Sequence, residues 1–363
     1  MHNDPSGAFT EAVSRYRKIL IFIPGSPDPD ALASSYAIRT ILDTMGIGSE
    51  IVSEKKISLP QNRAFVKSFS IPLVQAKTIN PERFDSYIIT DFQSNVIEGI
   101  TGRIPCAVHI DHHEKSHNNA PADFSYIRTE SGSTSALVAH ILKGLSNPIP
   151  PDRMTSIFTA LIFGIQTDTD SFRHASKTDM EALKFLSLYA DNEKLNSISA
   201  IPISRETMLY YKTAGENELI YKDWAIYGIG YLDISHRDSL AITADLLLKN
   251  RNHKAVAVFA IVEDRQNKDL FIDVSFRTDS PAIDLNTLIK KITPTGGGRR
   301  FKGAYQIKMK YFNACPDREI LWRAAESTTI ARIKEARDAE YITEIKNITR
   351  RAIDRFAALL KHK

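Results

Sequence analysis

The stretch CAVHIDHH (Cys106–His113) is a short run of mainly apolar residues that ends in one acid and two histidines. Such a run predicts a buried β-strand, and Asp111, His112 and His113 stand where that strand would end. One interpretation is that these side chains bind a metal ion. The other is that they form a buried polar cluster, satisfied by hydrogen bonds within the protein, at the end of the strand. Other parts of the sequence are needed to decide between these two interpretations.

Length and composition describe an ordinary globular protein with two domains. The chain has 363 residues, of which 43% are hydrophobic and 25% charged, and this length is about twice that of a common domain. The formal net charge of +4 is compatible with an anionic substrate but does not by itself indicate nucleic-acid binding. The two cysteines, Cys106 and Cys315, support neither a disulfide framework nor a zinc ribbon. We find no apolar signal sequence and no apolar run of roughly 20 residues, so we expect a cytoplasmic protein without a membrane partner.

Strands and helices alternate through the first half of the chain. The apolar runs KILIFI, SYIIT and CAVHI predict buried strands, and ALASSYAIRTILDTMGI and MTSIFTALIFGIQ predict helices. This alternation is typical of a mainly parallel sheet in an α/β fold. We therefore expect residues 1–195 to form a doubly wound domain.

The second half has a different pattern. Residues 196–220 show little periodicity and are predicted to link two domains, and residues 221–315 alternate apolar strands with amphipathic helices. The latter pattern predicts a smaller α+β domain. Residues 316–363 are charged and helical in propensity. This C-terminal helical extension would dock on the body of the protein or on a second copy, and the second case would give a homodimer.

Acidic residues and histidines recur where the predicted strands and helices of the first domain end. They are Asp28 and Asp30 after KILIFI, Asp91 after SYIIT, Asp111 to His113 after CAVHI, and Asp168 after the second long helix. Open α/β sheets bind ligands at the carboxyl ends of their strands, so separate loops can bring these groups to one place. Carboxylates gathered without a cation would repel one another or stay protonated. Carboxylates together with imidazole suit Mn²⁺ or Mg²⁺, with iron, cobalt or zinc as alternatives.

Each of these residues, taken alone, has a simpler interpretation. SPDPD can be a turn with a helix N-cap, Asp91 can cap the end of a strand, and Asp168 in TDTD can be a cap. The two neighbouring histidines can be hydrogen-bonded core residues. Their joint order is the stronger signal, because each group stands at a predicted strand or helix end.

Five motifs between about residues 18 and 190 resemble the successive motifs of the DHH phosphoesterase family: PDPDALAS, TDF, IDHH, GSTSALVAHIL and GIQTDTDSF. Further on, VSFRT, IDL and GGGRRFKGA resemble the DHH-associated C-terminal domain. Proteins similar to this arrangement include oligoribonuclease and phosphoadenosine phosphatase enzymes, cyclic-dinucleotide phosphodiesterases and single-strand exonucleases. The resemblance implies a metal-dependent hydrolase, usually with two manganese ions, and magnesium is the alternative.

The resemblance also implies a ligand set for two ions. One ion would be held by Asp30, Asp91, His112 and Asp168. The other would be held by Asp28 and by Asp91, which would bridge the two. Asp111 would orient a histidine, because imidazoles that bind metals usually donate their second N–H to a partner.

The catalytic and substrate-binding residues implied by the resemblance lie in both halves of the chain. Asp91 and His113 would be catalytic, with His113 contacting the scissile phosphate or assisting the leaving oxygen. The nucleotide would be bound by a second set: His113, Arg277, Gly296, Gly297, Gly298 and Arg299. Glycines let backbone N–H groups approach an anion, and arginine offers a fork to phosphate. Without the resemblance, the triple glycine is a flexible turn and Arg277 a solvated strand residue.

Two positions depart from the family pattern. The first motif usually opens with a histidine four residues before its first aspartate, and here that position is Pro24. The second ion would therefore lose a ligand, and three outcomes are open: it binds weakly, takes a ligand from elsewhere, or is absent. The glycine-rich loop usually continues with histidine and small residues, whereas here it reads Arg299-Arg300-Phe301-Lys302. Arginine keeps the affinity for phosphate but removes a titratable group.

Two functions remain open at this point. The first is a phosphoesterase that hydrolyses short oligonucleotides, cyclic dinucleotides or phosphoadenosine phosphate by attack of a metal-bound hydroxide. The alternative is a degenerate family member that binds a nucleotide as a regulatory module without turning it over, which Pro24 and the altered loop favour. An inorganic pyrophosphatase fits less well, because the glycine-rich loop is typical of the nucleotide-processing branch.

Overall fold

The computed structural model describes residues 4–57, 59–76, 79–114, 118–146, 149–200, 203–250 and 253–361, with side chains up to residue 339. The chain divides into two compact units, Met1–Pro202 and Ile203–Lys363. Each unit contains a six-stranded sheet. Among the helices of the described residues, none is both long and apolar enough to span a bilayer.

The first unit is built on a parallel sheet. Its strands are β1 (Lys18–Ile23), β2 (Gly48–Ser53), β3 (Leu73–Gln75), β4 (Ser86–Thr90), β5 (Cys106–Asp111) and β6 (Ala122–Ile127). Across the sheet they follow the order β3-β2-β1-β4-β5-β6, and every neighbouring pair is parallel. The expected α/β fold with a parallel sheet is confirmed. The strand order reverses between β1 and β4, and open α/β sheets bind ligands in the crevice at such a point.

The helices of the first unit share one large apolar core. They are α1 (Pro5–Val13), α2 (Pro29–Thr44), α3 (Pro60–Ser68), α4 (Thr134–Gly144), α5 (Pro151–Asp168), α6 (Lys177–Leu186) and α7 (Asn192–Ser199). Every one of them contributes a buried side chain to the core that contains Ile19 and Ile21 of β1. A smaller core lies on the other face of the sheet, around Leu20 and Phe22. The connection from β4 to β5, residues 92–105, forms no α-helix, since Gly99, Gly102 and Pro105 disfavour one.

The second unit contains a mixed sheet between two helical layers. Its strands are β7 (Glu218–Tyr221), β8 (Trp224–Asp233), β9 (Ala255–Asp264), β10 (Asp269–Thr278), β11 (Gly297–Gly298) and β12 (Lys302–Lys308), and its helices are α8 (Arg205–Glu216), α9 (Ser239–Asn250), α10 (Leu285–Ile292) and α11 (Arg318–Lys361). The strand order is β11-β12-β10-β9-β8-β7, in which only the β8–β9 pair is parallel among the described strands. Helices α8 and α9 cover one face, and α10 and α11 cover the other. The expected second, mixed α and β part of the fold is confirmed.

The stretch 196–220, expected to link the domains, contains regular structure. Helix α8 lies within it, and Ser204 caps this helix by accepting a hydrogen bond from the N–H of Thr207. Thr207 and Ala214 are buried on its inner face. The division between the two units falls at Pro202–Ile203.

Candidate metal centre

Four predicted ligands lie together at the carboxyl edge of the parallel sheet. Asp30 lies in the first turn of α2, Asp91 follows β4, His112 follows β5, and Asp168 is the last residue of α5. One ligand atom from each lies within 4.8 Å of the others. The four side chains therefore come from separate segments to the point where the strand order reverses, as the rule for open α/β sheets requires.

Asp30 is fully buried and is fixed by the beginning of α4. Its two carboxylate oxygens accept hydrogen bonds from the backbone N–H groups of Thr134 (2.7 Å) and Ser135 (2.8 Å). Burial raises the pKa of Asp30 well above its ordinary value, and the charges of Asp91 and Asp168 raise it further. A divalent cation beside these carboxylates would remove the mutual repulsion and favour the charged form.

Gly164 of α5 makes room for this carboxylate. A Cβ atom at this position would lie 2.3 Å from Oγ of Ser135 and 3.1 Å from Oδ1 of Asp30. Glycine is unfavourable in the middle of a helix by about 0.5–1 kcal/mol relative to alanine. Its presence here is explained by the close approach of α5 to the site.

Asp91 has a backbone conformation that is rare for a residue other than glycine. Its φ angle is 56°, in the left-handed region, and a residue of this type costs of order 1–3 kcal/mol there. Two hydrogen bonds hold it in place: its N–H donates to the carbonyl of Ile110 (3.0 Å), and its Oδ1 accepts from Oγ1 of Thr134 (3.1 Å). Strain of this kind is common where a backbone must aim a side chain at a functional site.

His112 presents one ring nitrogen to two carboxylates. Its Nδ1 lies 3.2 Å from the carbonyl oxygen of Ser131, which can only accept, so this nitrogen carries a proton. Its Nε2 lies 3.4 Å from Oδ1 of Asp91 and 3.1 Å from Oδ2 of Asp168. In the neutral imidazole, Nε2 has a lone pair directed at two anions, and a cation between these atoms satisfies all three. This donor set of three carboxylates and one imidazole fits Mn²⁺ or a similar divalent ion.

His113 and Asp111 form a second pair beside the cluster. Nδ1 of His113 lies 2.7 Å from Oδ1 of Asp111, and the side chain of His113 is 24% exposed while that of Asp111 is fully buried. Burial favours a higher pKa for Asp111, but the hydrogen bond and charge of His113 outweigh it and hold the pKa below its ordinary value. Asp111 therefore orients His113, whereas His112 is oriented by the Ser131 carbonyl.

Asp28 is not one of the four gathered ligands. Within the described residues, two sets of side chains could each share an ion, the four above and the set Asp91, His112 and His113, and Asp28 belongs to neither. It caps α2 instead, since its Oδ1 accepts a hydrogen bond from the N–H of Ala31 (2.9 Å). Pro24, at the position of the family's first histidine, offers no side-chain donor.

Sequence reasoning missed a buried carboxylate that supports the site. Asp179 at the start of α6 accepts hydrogen bonds from the N–H of Gly132 and from Oγ of Ser133, both at 2.8 Å. It also forms a capping box with Ser176. It thereby holds the loop whose Ser131 carbonyl orients His112. The S-x-x-D spacing of Ser176 and Asp179 predicts the cap, but nothing in the sequence indicates the contact with the distant loop.

Arg277, the predicted nucleotide ligand on β10, is paired within the second unit. It is only 8% exposed. Its Nε lies 2.6 Å from Oδ1 of Asp245 on α9, and its Nη1 donates to the carbonyl of Phe276 (2.8 Å). The guanidinium is thus held in one orientation by the protein itself, rather than being a solvated strand residue.

The glycine-rich stretch forms a tight hairpin at one edge of the second sheet. Gly297 and Gly298 pair with Ala304 and Gly303, and Arg299 donates its N–H to the carbonyl of Lys302 (2.7 Å). Gly298 has a φ angle of 157°, and a Cβ there would lie 2.3 Å from the carbonyl oxygen of Lys302. The N–H of Gly298 lies 3.3 Å from Oδ1 of Asn286 on α10. Glycine is required here by the close approach of the two chains.

Comparisons with known proteins agree with this geometry. Residues 18–165 match the DHH family, N-terminal domain. This part of the chain therefore contains a DHH-family N-terminal domain, and the resemblance inferred from its motifs is confirmed. The chain is 32% identical over 321 residues to the uncharacterized protein MJ1633 of Methanocaldococcus jannaschii, an alignment that covers 87% of this chain and 63% of that protein. The chain thus spans less than two thirds of that relative's length.

The fold is also found in a solved structure. A crystal structure of an exopolyphosphatase-related protein from Bacteroides fragilis aligns with 92% of this chain and covers 97% of its own, with a TM-score of 0.67 and 18% sequence identity. At this identity the likeness establishes a shared fold and no more.

Proposed function

We propose that this chain is a phosphoesterase that uses a divalent metal ion to hydrolyse short nucleotide substrates. The observation that carries the proposal is the arrangement of Asp30, Asp91, His112 and Asp168, whose ligand atoms lie within 4.8 Å of one another. A buried histidine cluster that merely ended a strand would not need three further carboxylates from separate segments. The match of residues 18–165 to the N-terminal domain of the DHH family supports the same reaction class.

The four ligands would hold one ion tightly, and manganese suits their oxygen and nitrogen donors, with magnesium as the alternative. A bound divalent ion lowers the pKa of water and offsets the charge of a phosphate group. Asp28 remains the proposed ligand of a second ion with Asp91. Its role as helix cap and the proline at position 24 support weak binding there.

Two residues of the first unit, Asp91 and His113, are the proposed catalytic residues. Asp91 is both a ligand and the residue whose strained backbone is fixed by Ile110 and Thr134. His113 would contact the scissile phosphate and hold or release a proton at Nε2, because its Nδ1 proton is engaged by Asp111. A proton at Nε2 is positioned to be donated to a leaving oxygen, because the contact with Asp111 holds the ring in one orientation.

The second unit would supply the nucleotide-binding groups. Arg277, Gly296, Gly297, Gly298 and Arg299 are proposed to contact the substrate or its terminal phosphate. Arg277 is oriented by Asp245, which lowers the entropy it loses on binding a phosphate but leaves it partly neutralised. Pro24 and the altered loop Arg299-Arg300-Phe301-Lys302 are the observations that favour the alternative of a regulatory module that binds nucleotides without hydrolysing them.

Turnover of defined substrates separates the two functions. We would incubate the Mn²⁺-loaded full chain with a dinucleotide, a cyclic dinucleotide and phosphoadenosine phosphate, and follow the products by chromatography. Asp168→Asn should abolish hydrolysis, whereas Asp152→Asn at the exposed start of the same helix should not. Tight binding of these nucleotides without any hydrolysis would refute the enzyme and support the regulatory module.

A further inference from the structure

The second unit contains a cavity of about 510 Å³ on the face of its sheet that α10 and α11 cover. Strand β12, the residues that follow α10 and one side of α11 form its walls. Small-molecule sites have volumes of roughly 300–1,000 Å³, so the cavity has the size of such a site. None of the residues proposed above to contact the substrate lines it.

Polar groups suited to an anion line this cavity. Tyr305 is 4% exposed, and its hydroxyl has no hydrogen-bond partner among the residues that the structure describes. The residue is largely buried but this hydroxyl is not fully buried, so it can donate to a ligand in the cavity. Thr329 of α11 is likewise buried, at 3% exposed. Arg332, one turn further on, brings a guanidinium to the same wall.

Arg332 is available to a ligand. It forms an ion pair with Glu335 at 3.1 Å, and both side chains are about two-thirds exposed, at 65% and 67%. Exposed pairs of this kind are weak, so a phosphate group can replace the carboxylate at little cost. Guanidinium and hydroxyl donors together are the usual ligands of a phosphate group.

The other walls of the cavity are apolar. They are formed by Ile272, Ile292, Pro294 and Ile307, and Ile307 is 42% exposed. An anion alone would leave these side chains facing water. A ligand that carries a planar apolar ring beside its phosphate would cover them, as in sites where few polar groups orient an otherwise apolar ligand.

The cavity lies next to the glycine-rich hairpin. A Cβ at Gly296 would lie 2.6 Å from Cβ of Tyr305 and 2.7 Å from Cγ2 of Ile289, so the hairpin packs directly on the tyrosine. Thr293 and Thr295, which line the cavity, share a hydrogen bond at 3.0 Å just before Gly296. Arg277 lies on the opposite face of the sheet, against α9.

We propose that this cavity is a second ligand site, which binds a nucleoside monophosphate with its phosphate on Arg332 and the Tyr305 hydroxyl and its base on the isoleucines. The site is separate from the one that the proposed function uses. A ligand in the cavity would contact Tyr305, which packs against Gly296 at the start of the glycine-rich hairpin.

Calorimetric titration tests the proposal on the full chain in the presence of a chelator, so that the metal centre cannot contribute. AMP should bind, and adenosine and inorganic phosphate should each bind at least about tenfold more weakly, since each fills half of the site. Arg332→Gln should weaken AMP binding by about tenfold or more, and Tyr305→Phe by about fivefold. Arg323→Gln, on the same helix and paired with Glu319, should leave the affinity unchanged.

Three results would overturn the assignment: no binding of AMP, an affinity for adenosine equal to that for AMP, or an unchanged affinity for AMP in both Arg332→Gln and Tyr305→Phe. The outcome is independent of the proposed hydrolysis. Asp168→Asn should bind AMP in the cavity like the wild type, even though it is expected to be inactive.

Discussion

Replacing Asp168 by asparagine should greatly reduce the stabilisation of the protein by manganese without destabilising its metal-free form. Three carboxylates of the cluster lie close together, and the charges of Asp91 and Asp168 help to raise the pKa of Asp30. Removing one of these charges relieves repulsion, so the free energy of unfolding without metal should not fall. The same change removes an anionic ligand of the ion, and we expect the dissociation constant for Mn²⁺ to rise about a hundredfold.

The magnitude of the effect follows from linkage. At a Mn²⁺ concentration one hundred times the wild-type dissociation constant, binding stabilises the folded protein by about 2.7 kcal/mol. For a unit the size of Met1–Pro202, this corresponds to an increase in melting temperature of about 5–11 °C. In Asp168→Asn at the same concentration, the ratio of ligand to dissociation constant is about one, and the stabilisation is only about 0.4 kcal/mol.

Differential scanning calorimetry with chelator and with Mn²⁺ checks this expectation. Asp152→Asn is the matched control, because this residue lies exposed in the first turn of the same helix. It should cost about 0.3–1 kcal/mol through the helix dipole and keep the full response to manganese. An equal Mn²⁺ shift in wild type and Asp168→Asn would refute the assignment of Asp168 as a ligand.

Two further changes test the packing that supports the site and the fold. Gly164→Ala should destabilise the protein by about 1–3 kcal/mol through overpacking and lower the affinity for Mn²⁺, because its Cβ would clash with Ser135 beside Asp30. Gly7→Ala is the control and should be neutral or stabilising, because nothing lies within 4 Å of a Cβ at that position. Denaturation in urea measures both changes in the free energy of unfolding. Asp223→Asn should destabilise the protein by about 3 kcal/mol at pH 7, because Asp223 pairs with the buried Arg337 through Oδ1 (2.9 Å) and Oδ2 (3.0 Å). Burial raises the pKa of Asp223, but the hydrogen bonds from Arg337 and Lys254 outweigh it and hold this pKa below 3.8 in the folded protein. The contribution of Asp223 to the free energy of unfolding is therefore fully present above pH 3.8. It is lost as the pH falls through the pKa of the folded state. A constant difference between wild type and Asp223→Asn from pH 7 down to pH 3 would contradict this.

The sequence predicted the parallel sheet and the gathering of four side chains for the same reason. Strands in the order found here place their carboxyl ends on one edge, and a residue that follows a strand is brought there by the chain itself. Asp91 and His112 directly follow β4 and β5, so their positions follow from the strand predictions. Strand β6 is only half-buried, and its sequence predicts a strand less clearly than the apolar runs of β4 and β5 do.

Contacts between distant segments were not predictable from the sequence. Asp28 stands two residues before Asp30, yet the turn makes one a helix cap and the other a buried ligand candidate. Asp179 reaches the 131–133 loop only because α4 and α6 pack together. The pairing of Arg277 with Asp245 likewise depends on how α9 lies on the sheet.

Electron spin echo spectroscopy of bound Mn²⁺ tests the central claim most directly, because it detects nitrogen atoms coordinated to the ion. The wild-type protein with one equivalent of Mn²⁺ should show the coupling of an imidazole nitrogen. This coupling should disappear in His112→Gln and persist in His140→Gln, whose ring contacts the carbonyl of Thr178 instead. Mn²⁺ bound without a nitrogen coupling in the wild type, or a coupling that survives in His112→Gln, would contradict the account.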